Sequence, residues 1–162
     1  MTDVNYLLKK YLYKIQCIEE HIVENLPVFI EKSNSKKLIN EFESYKKTSS
    51  KHLEVLNNFI NDLDIDDSIS NCNSIKSLVN EVKSYVTLPN DNITDAGLIA
   101  NFERLMTSKT SLYTSALRFS RELSLKTTTH RIQKLLNDNY DFIYTFDKIE
   151  EDRLTKKDIL RS

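Results

Sequence analysis

Chain breakers are scarce in this sequence: glycine occurs once and proline twice in 162 residues. That excludes turn-rich β architectures, which draw on both, and favours long helices. Tryptophan is absent, and the eight Tyr and seven Phe read as helical core rather than as a stacking surface for bases. No charge sign dominates, with 23 basic against 24 acidic residues and a formal net charge of -1. Without a clustered basic surface, nucleic-acid binding is not expected. No apolar run approaches the roughly 20 residues needed to cross a bilayer. The start, MTDVNYLLKKYLYKIQ, is interrupted by Lys9, Lys10 and Lys14, so it does not read as a signal peptide. The expected setting is soluble and cytoplasmic. The two cysteines, Cys17 and Cys72, form no C-x-x-C pair and are expected to be reduced and structural in such a chain.

What is present is helical periodicity. The length suits one domain spanning residues 1–162. The stretch Asn92 to Leu123 repeats apolar side chains at Leu98, Phe102, Leu105, Met106, Leu112, Tyr113, Ala116 and Leu117, the three-and-four spacing of one buried helix face. Asn92 and Thr94 are candidate caps, with Asp95 in the first turn. Lys109 falls in the middle of this apolar face, so its charge must find a partner, snorkel out or be lost.

Four further helices follow from the same reading. The first, about Asp3 to Lys32, has an inner stripe of Leu8, Leu12 with Tyr11, Ile15, Ile22, Leu26 and Phe29, with Glu19 on that stripe. Pro27 is expected to kink its last turns. The second, about Ser35 to Leu63, has apolar ends (Leu38, Phe42, Tyr45; Leu56, Phe59, Leu63) and a polar waist of Ser49 and His52, flanked by Thr48. The short loop between them forces an antiparallel hairpin. Asp64 to Asn73 reads as a connection. A shorter helix, Ser74 to Val86, turns Ile75, Leu78, Val79, Val82 and Val86 inward. A last helix runs from about Thr129 to Glu151 over Ile132, Leu135, Leu136, Tyr140, Ile143, Phe146 and Ile149. The charged tail 152–162 is expected to fray, unless Leu154, Ile159 and Leu160 dock a final turn. Two hairpins joined by a crossover of about 29 residues give an all-α, ferritin-like four-helix bundle whose long crossover contains a short fifth helix.

Four motifs in order support a family resemblance. They are Ile18-Glu19-Glu20-His21 with Leu26-Pro27 downstream; His52-Leu53-Glu54-Val55-Leu56; Cys72 followed by Ile75, Leu78 and Val79; and Asp95-Ala96-Gly97-Leu98-Ile99-Ala100. Over roughly residues 4 to 150 the chain resembles the YciE/YciF-type ferritin-like proteins, bacterial stress-associated bundles. The resemblance implies a waist where carboxylates and imidazoles from facing helices hold two metal ions. Here Glu19 matches the first-helix carboxylate, but the second-helix position holds Thr48, the family's E-H-Y-E reads Met106-Thr107-Ser108-Lys109, and the acidic pair of the last helix reads Phe142-Ile143. The residues three before His21, His52 and His130 are Ile18, Ser49 and Thr127, so no Glu-x-x-His exists.

The expectation is therefore a lost di-metal site and no cofactor. Lys109 supplies positive charge opposite Glu19, and Thr48, Ser49 and His52 are neutral hydrogen-bond partners. No catalytic constellation is expected, and the favoured function is that of a non-enzymatic, stress-associated bundle. The alternative is a metal-handling protein in which Glu19 and His52, with Asp138, Asp141 or Glu103, still hold iron or manganese. A third reading is a small-ligand binder using a vacated waist cavity. Apolar flanks such as Leu7, Ile30 and Phe119 lead to the expectation of a homodimer.

Overall fold

In the computed structural model, residues 3–63 and 72–161 are described. They form α1 (Val4–Lys32), α2 (Lys36–Asp62), α3 (Asn73–Val86), α4 (Asp95–Glu122) and α5 (Lys126–Arg161), with one 3-10 turn at Asn90–Asn92. No strand occurs among the described residues, and none of their helices is long and apolar enough to cross a membrane.

Helix starts follow local chemistry. Asp3 caps α1 by accepting from the Asn5 amide, Ser35 caps α2 by accepting from Leu38, and Thr94 caps α4 by accepting from Gly97, each satisfying an otherwise orphaned N–H. The Asn92 side chain lies outside the described residues, so the cap of α4 rests with Thr94. Pro27 does not end α1, which continues five residues to Lys32.

The α1–α2 hairpin and the α4–α5 hairpin pack side by side, α1 on α4, with α3 laid across α1 and α4. The carboxylate of Asp95 fastens the two hairpins at one end: the amides of Asn34 and Ser35 donate to its two oxygens at 2.8 and 2.9 Å. Lys37 pairs with Asp152 at that same end. The chain therefore runs up α1, down α2, back along the crossover, down α4 and up α5.

Two apolar clusters fill the bundle. The one near the Asp95 end is aromatic, with Phe29, Phe42, Phe102 and Phe146 at centroid separations of 4.9 to 5.8 Å, within the favoured range for ring pairs. The other is mostly aliphatic, built on Leu8, Leu12, Ile15, Leu56, Leu117, Ile132 and Leu136. A polar layer separates them.

Several expectations are corrected. Tyr140 is half-exposed, and its neighbour Asn139 takes the core position with no exposure. The tail does not fray at residue 152, because α5 continues to Arg161. Nor does it dock: Leu154 and Leu160 are exposed, and the Ile159 side chain lies outside the described residues. Leu7, Ile30 and Phe119 are half-buried rather than free, with Phe119 edge-on to Tyr11 at 5.3 Å. Cys17 and Cys72 are joined as a disulfide, not reduced. The connection 64–71 lies outside the described residues.

Candidate functional site: a charged waist closed by lysine

Helical spacing carries Glu19 on the inner stripe of α1, Tyr45, Ser49 and His52 on α2, and Lys109 and Tyr113 on α4 to one level between the two apolar clusters. Glu19 and Lys109 have no exposure at all. The Lys109 ammonium sits 2.7 Å from Glu19 Oε1 and donates to the Tyr45 hydroxyl at 2.6 Å. It also lies 4.9 Å from the centroid of the Tyr45 ring and 5.9 Å from that of Tyr113, within reach of cation–π attraction.

Glu19 is saturated. Its Oε1 accepts from the Tyr113 hydroxyl at 2.9 Å and its Oε2 from the Ser49 hydroxyl. His52 Nδ1 lies 3.6 Å from Oε1, too far for a hydrogen bond. Its Nε2 pairs with Asp138 Oδ2 at 2.9 Å. The Asp138 side chain is 41% exposed against 4% for His52, so the polar layer leads from a dry interior at Lys109 to solvent between α2 and α5. There the helices part into a groove of about 790 Å³, bordered by Lys51, His52, Val55, Arg131, Leu135 and Asp138.

The electrostatics follow from this packing. Burial by itself raises a carboxyl pKa, but the adjacent Lys109 charge and the His52 imidazole outweigh it and hold Glu19 at about 2. Burial by itself would lower Lys109, but Glu19 and Tyr45 hold it above its ordinary value. Burial raises Tyr45, and burial with the Glu19 charge raises Tyr113 further, so both phenols stay protonated and donate or accept as neutral groups. At neutral pH the layer holds a closed ion pair in which each Glu19 oxygen has a partner, while His52 Nδ1 is buried without a hydrogen bond.

Of the residues singled out from the sequence, Glu19, Ser49, His52 and Lys109 meet at this layer. Thr48 borders the groove beside His52, without a side-chain hydrogen bond to the described residues. Asp138 joins through His52. Asp141 is exposed on a neighbouring groove with Glu41, and Glu103 lies near Asp147 and Glu150, away from the layer. Tyr144 and Tyr140 point outward. Asn139 is missed by sequence reasoning. Its amide is buried without a partner, as is Thr110 Oγ1, and the α4–α5 register set by Phe102–Phe146 and Ser120–Thr129 places these two residues at one height.

A di-iron or di-manganese centre of the ferritin type needs a Glu from each of two helices and a Glu-x-x-His from each of the other two. Among the described residues no three His, Cys, Asp or Glu side chains group for a metal ion. Glu19 Oε1 faces an ammonium, which has no lone pair to give and repels cations. The residues present do not fit that centre.

Comparison with known proteins bears out the resemblance read from the four motifs. The E. coli stress protein YciF superposes with a TM-score of 0.81 over 96% of this chain and 99% of that one, at 14% identity. YcfI of Rhodopseudomonas palustris, a candidate structural protein, superposes with a TM-score of 0.79 over 90% of this chain and 93% of that one, at 21% identity. No curated protein matches in sequence. Residues 3–158 match the family described as "Domain of unknown function (DUF892)", and the chain belongs to that family.

Proposed function

We propose that this chain is a non-enzymatic, cytoplasmic member of its family, a structural bundle of stress physiology that works without a di-metal site. One observation carries the reading. The Lys109 ammonium, fully buried and 2.7 Å from Glu19, supplies from within the chain the positive charge that the waist carboxylate requires. A buried carboxylate without compensation is costly, and here both of its oxygens are occupied by side chains. The similar fold of the E. coli protein described as a stress protein supports the physiological half of the reading.

Self-association as a homodimer belongs to the same proposal. Its surface would draw on exposed apolar side chains such as Tyr6, Leu88, Tyr140, Tyr144 and Leu154, since Leu7, Ile30 and Phe119 are half-buried.

The test is metal loading. Protein purified without chelator is incubated anaerobically with Fe(II) or Mn(II), desalted and assayed for bound metal, melting temperature and ferrous oxidation in air. The expected result is no stoichiometric metal, an unchanged melting temperature and oxidation no faster than in buffer. Stoichiometric iron or manganese that raises the melting temperature would overturn the reading.

A further inference from the structure

The crossover helix α3 is fastened at its two ends by different means. At its C-terminal end the Tyr85 ring occupies the space beside Gly97, where a Cβ would lie 1.8 Å from the Tyr85 oxygen. Lys32 adds contacts to the Leu88 carbonyl at 3.3 Å and to Asn90. At its N-terminal end the cap position is Cys72, which makes no side-chain capping hydrogen bond, unlike Asp3, Ser35 and Thr94 on α1, α2 and α4. That end is tied to the middle of α1 by the bond to Cys17, with Cα atoms 6.5 Å apart.

Beyond that bond, the first turns of α3 rest on apolar contact with the core, where Leu78 is half-buried beside two buried side chains. Their inward residues are Ile75 and Val79, followed by Val82 and Val86 toward the fastened end. A 14-residue helix is marginal without tertiary anchoring. Glu81 pairs with Arg104 at 2.8 Å, but with both side chains about half-exposed that contact adds little.

We propose that Cys17–Cys72 is a reversible redox latch on the crossover: closed, it pins the N-terminal half of α3 to α1; open, that half detaches while the Tyr85–Gly97 end stays seated. The chemistry is a two-electron exchange. A thiolate of a dithiol reductant attacks one cysteine sulfur, a mixed disulfide forms and the other cysteine leaves as thiolate. The reductant's second thiolate then closes its own disulfide and releases the first cysteine. In the reverse direction a cysteine thiolate attacks hydrogen peroxide, releasing hydroxide and forming a sulfenic acid. The second thiolate attacks that sulfur and expels its oxygen, so that two thiols and one peroxide give one disulfide and two waters. Cys17 is 8% and Cys72 4% exposed, so exchange requires a local opening around the bond that admits the reductant's thiolate.

The charged waist does not take part. Cys17 precedes Glu19 by two residues on α1, and a step of two places side chains on nearly opposite faces of a helix. Failure of the latch thus leaves the reading of the waist untouched, and the reverse also holds.

The test is amide hydrogen exchange by mass spectrometry on the whole protein, in three states: treated with hydrogen peroxide, treated with dithiothreitol, and carrying Cys17→Ala with Cys72→Ala. Thiols are counted under denaturing conditions in each. On reduction, exchange in residues 73–80 is expected to quicken by at least about tenfold, with α1, α2, α4, α5 and residues 82–86 unchanged. The double variant is expected to match the reduced state whatever the oxidant, and peroxide to restore protection in the parent. Two free thiols after peroxide treatment, or equal exchange at 73–80 in the oxidised and reduced protein, would overturn the latch. A change spread over all helices on reduction would also overturn it, because the bond would then be a general brace.

Discussion

The two sides of the waist are built from the same kinds of side chain and behave differently. On the α1–α4 side, Lys109 and Glu19 are fully buried, 2.7 Å apart, with every acceptor occupied. On the α2–α5 side, the His52–Asp138 pair at 2.9 Å reaches a half-exposed carboxylate at the rim of an open groove. Charge strength does not explain the difference. Water does, because a pair that solvent can reach is screened and weak, whereas a pair sealed from it must be complete or the core fails. The dry side therefore ought to dominate stability, and the wet side ought to be replaceable.

The comparison is broken most severely by Lys109→Met. It leaves Glu19 buried without its cation and is expected to cost about 3–5 kcal/mol, a fall in melting temperature on the order of 10 °C for a domain of this size. Adding Glu19→Gln to that variant is expected to recover most of the loss, since the apolar and neutral pair no longer demands compensation. A single variant as stable as the parent at neutral pH would show that the pair is not needed.

A smaller effect of opposite sign is expected at Asn139. Its side-chain nitrogen and oxygen are both buried without a partner, so Asn139→Leu, close in shape, is expected to raise the urea midpoint by the equivalent of about 1 kcal/mol. A fall would mean that the amide is satisfied by ordered water in solution. The smallest change belongs to the wet side. Asp138→Ala removes a carboxylate whose side chain is 41% exposed and is expected to cost under about 1 kcal/mol, measured by the same urea midpoint. A loss matching that of Lys109→Met would erase the distinction between the two sides.

Much of this was legible before any coordinates. The helices and the hairpins follow from period 3.6, which also puts Lys109 on an apolar face among Phe102, Met106, Tyr113 and Ala116; that its ammonium stays inside instead of snorkelling out is decided by Glu19 and Tyr45. Three features were not legible, each for a physical reason. In Asn139-Tyr140 hydrophobicity points the tyrosine to the core, yet the helix phase fixed by Leu135, Leu136 and Phe146 puts the asparagine inside; phase outranks hydrophobicity when neighbours compete. The Cys17–Cys72 bond depends on where the crossover returns to α1, which spacing along the chain does not encode. Thr48 matches a family carboxylate position, which puts it in the expected cluster. The hydroxyls that reach the Glu19–Lys109 pair come from Ser49, which helical spacing puts at the waist, and from Tyr45 and Tyr113, whose spacing reads as core packing.

The pH dependence follows from the signs of the shifts. The Glu19 carboxyl, near 2 instead of 4.5, contributes stability that is complete above the unfolded value and drains away as pH falls from there toward 2. Lys109, raised above 10.5, contributes stability that is intact below 10.5 and is lost only as pH climbs through its elevated folded value. Both are charged throughout about pH 5 to 8, where neither adds a slope. The most direct measurement is a carbon-13 NMR titration of the Glu19 side-chain carboxyl in the folded protein. The expected result is a carboxylate that stays ionised through the ordinary range and protonates only near pH 2, or on acid unfolding if that comes first. A midpoint at or above 4.5 would contradict the central claim that Lys109 does the work of an inorganic cation at the waist.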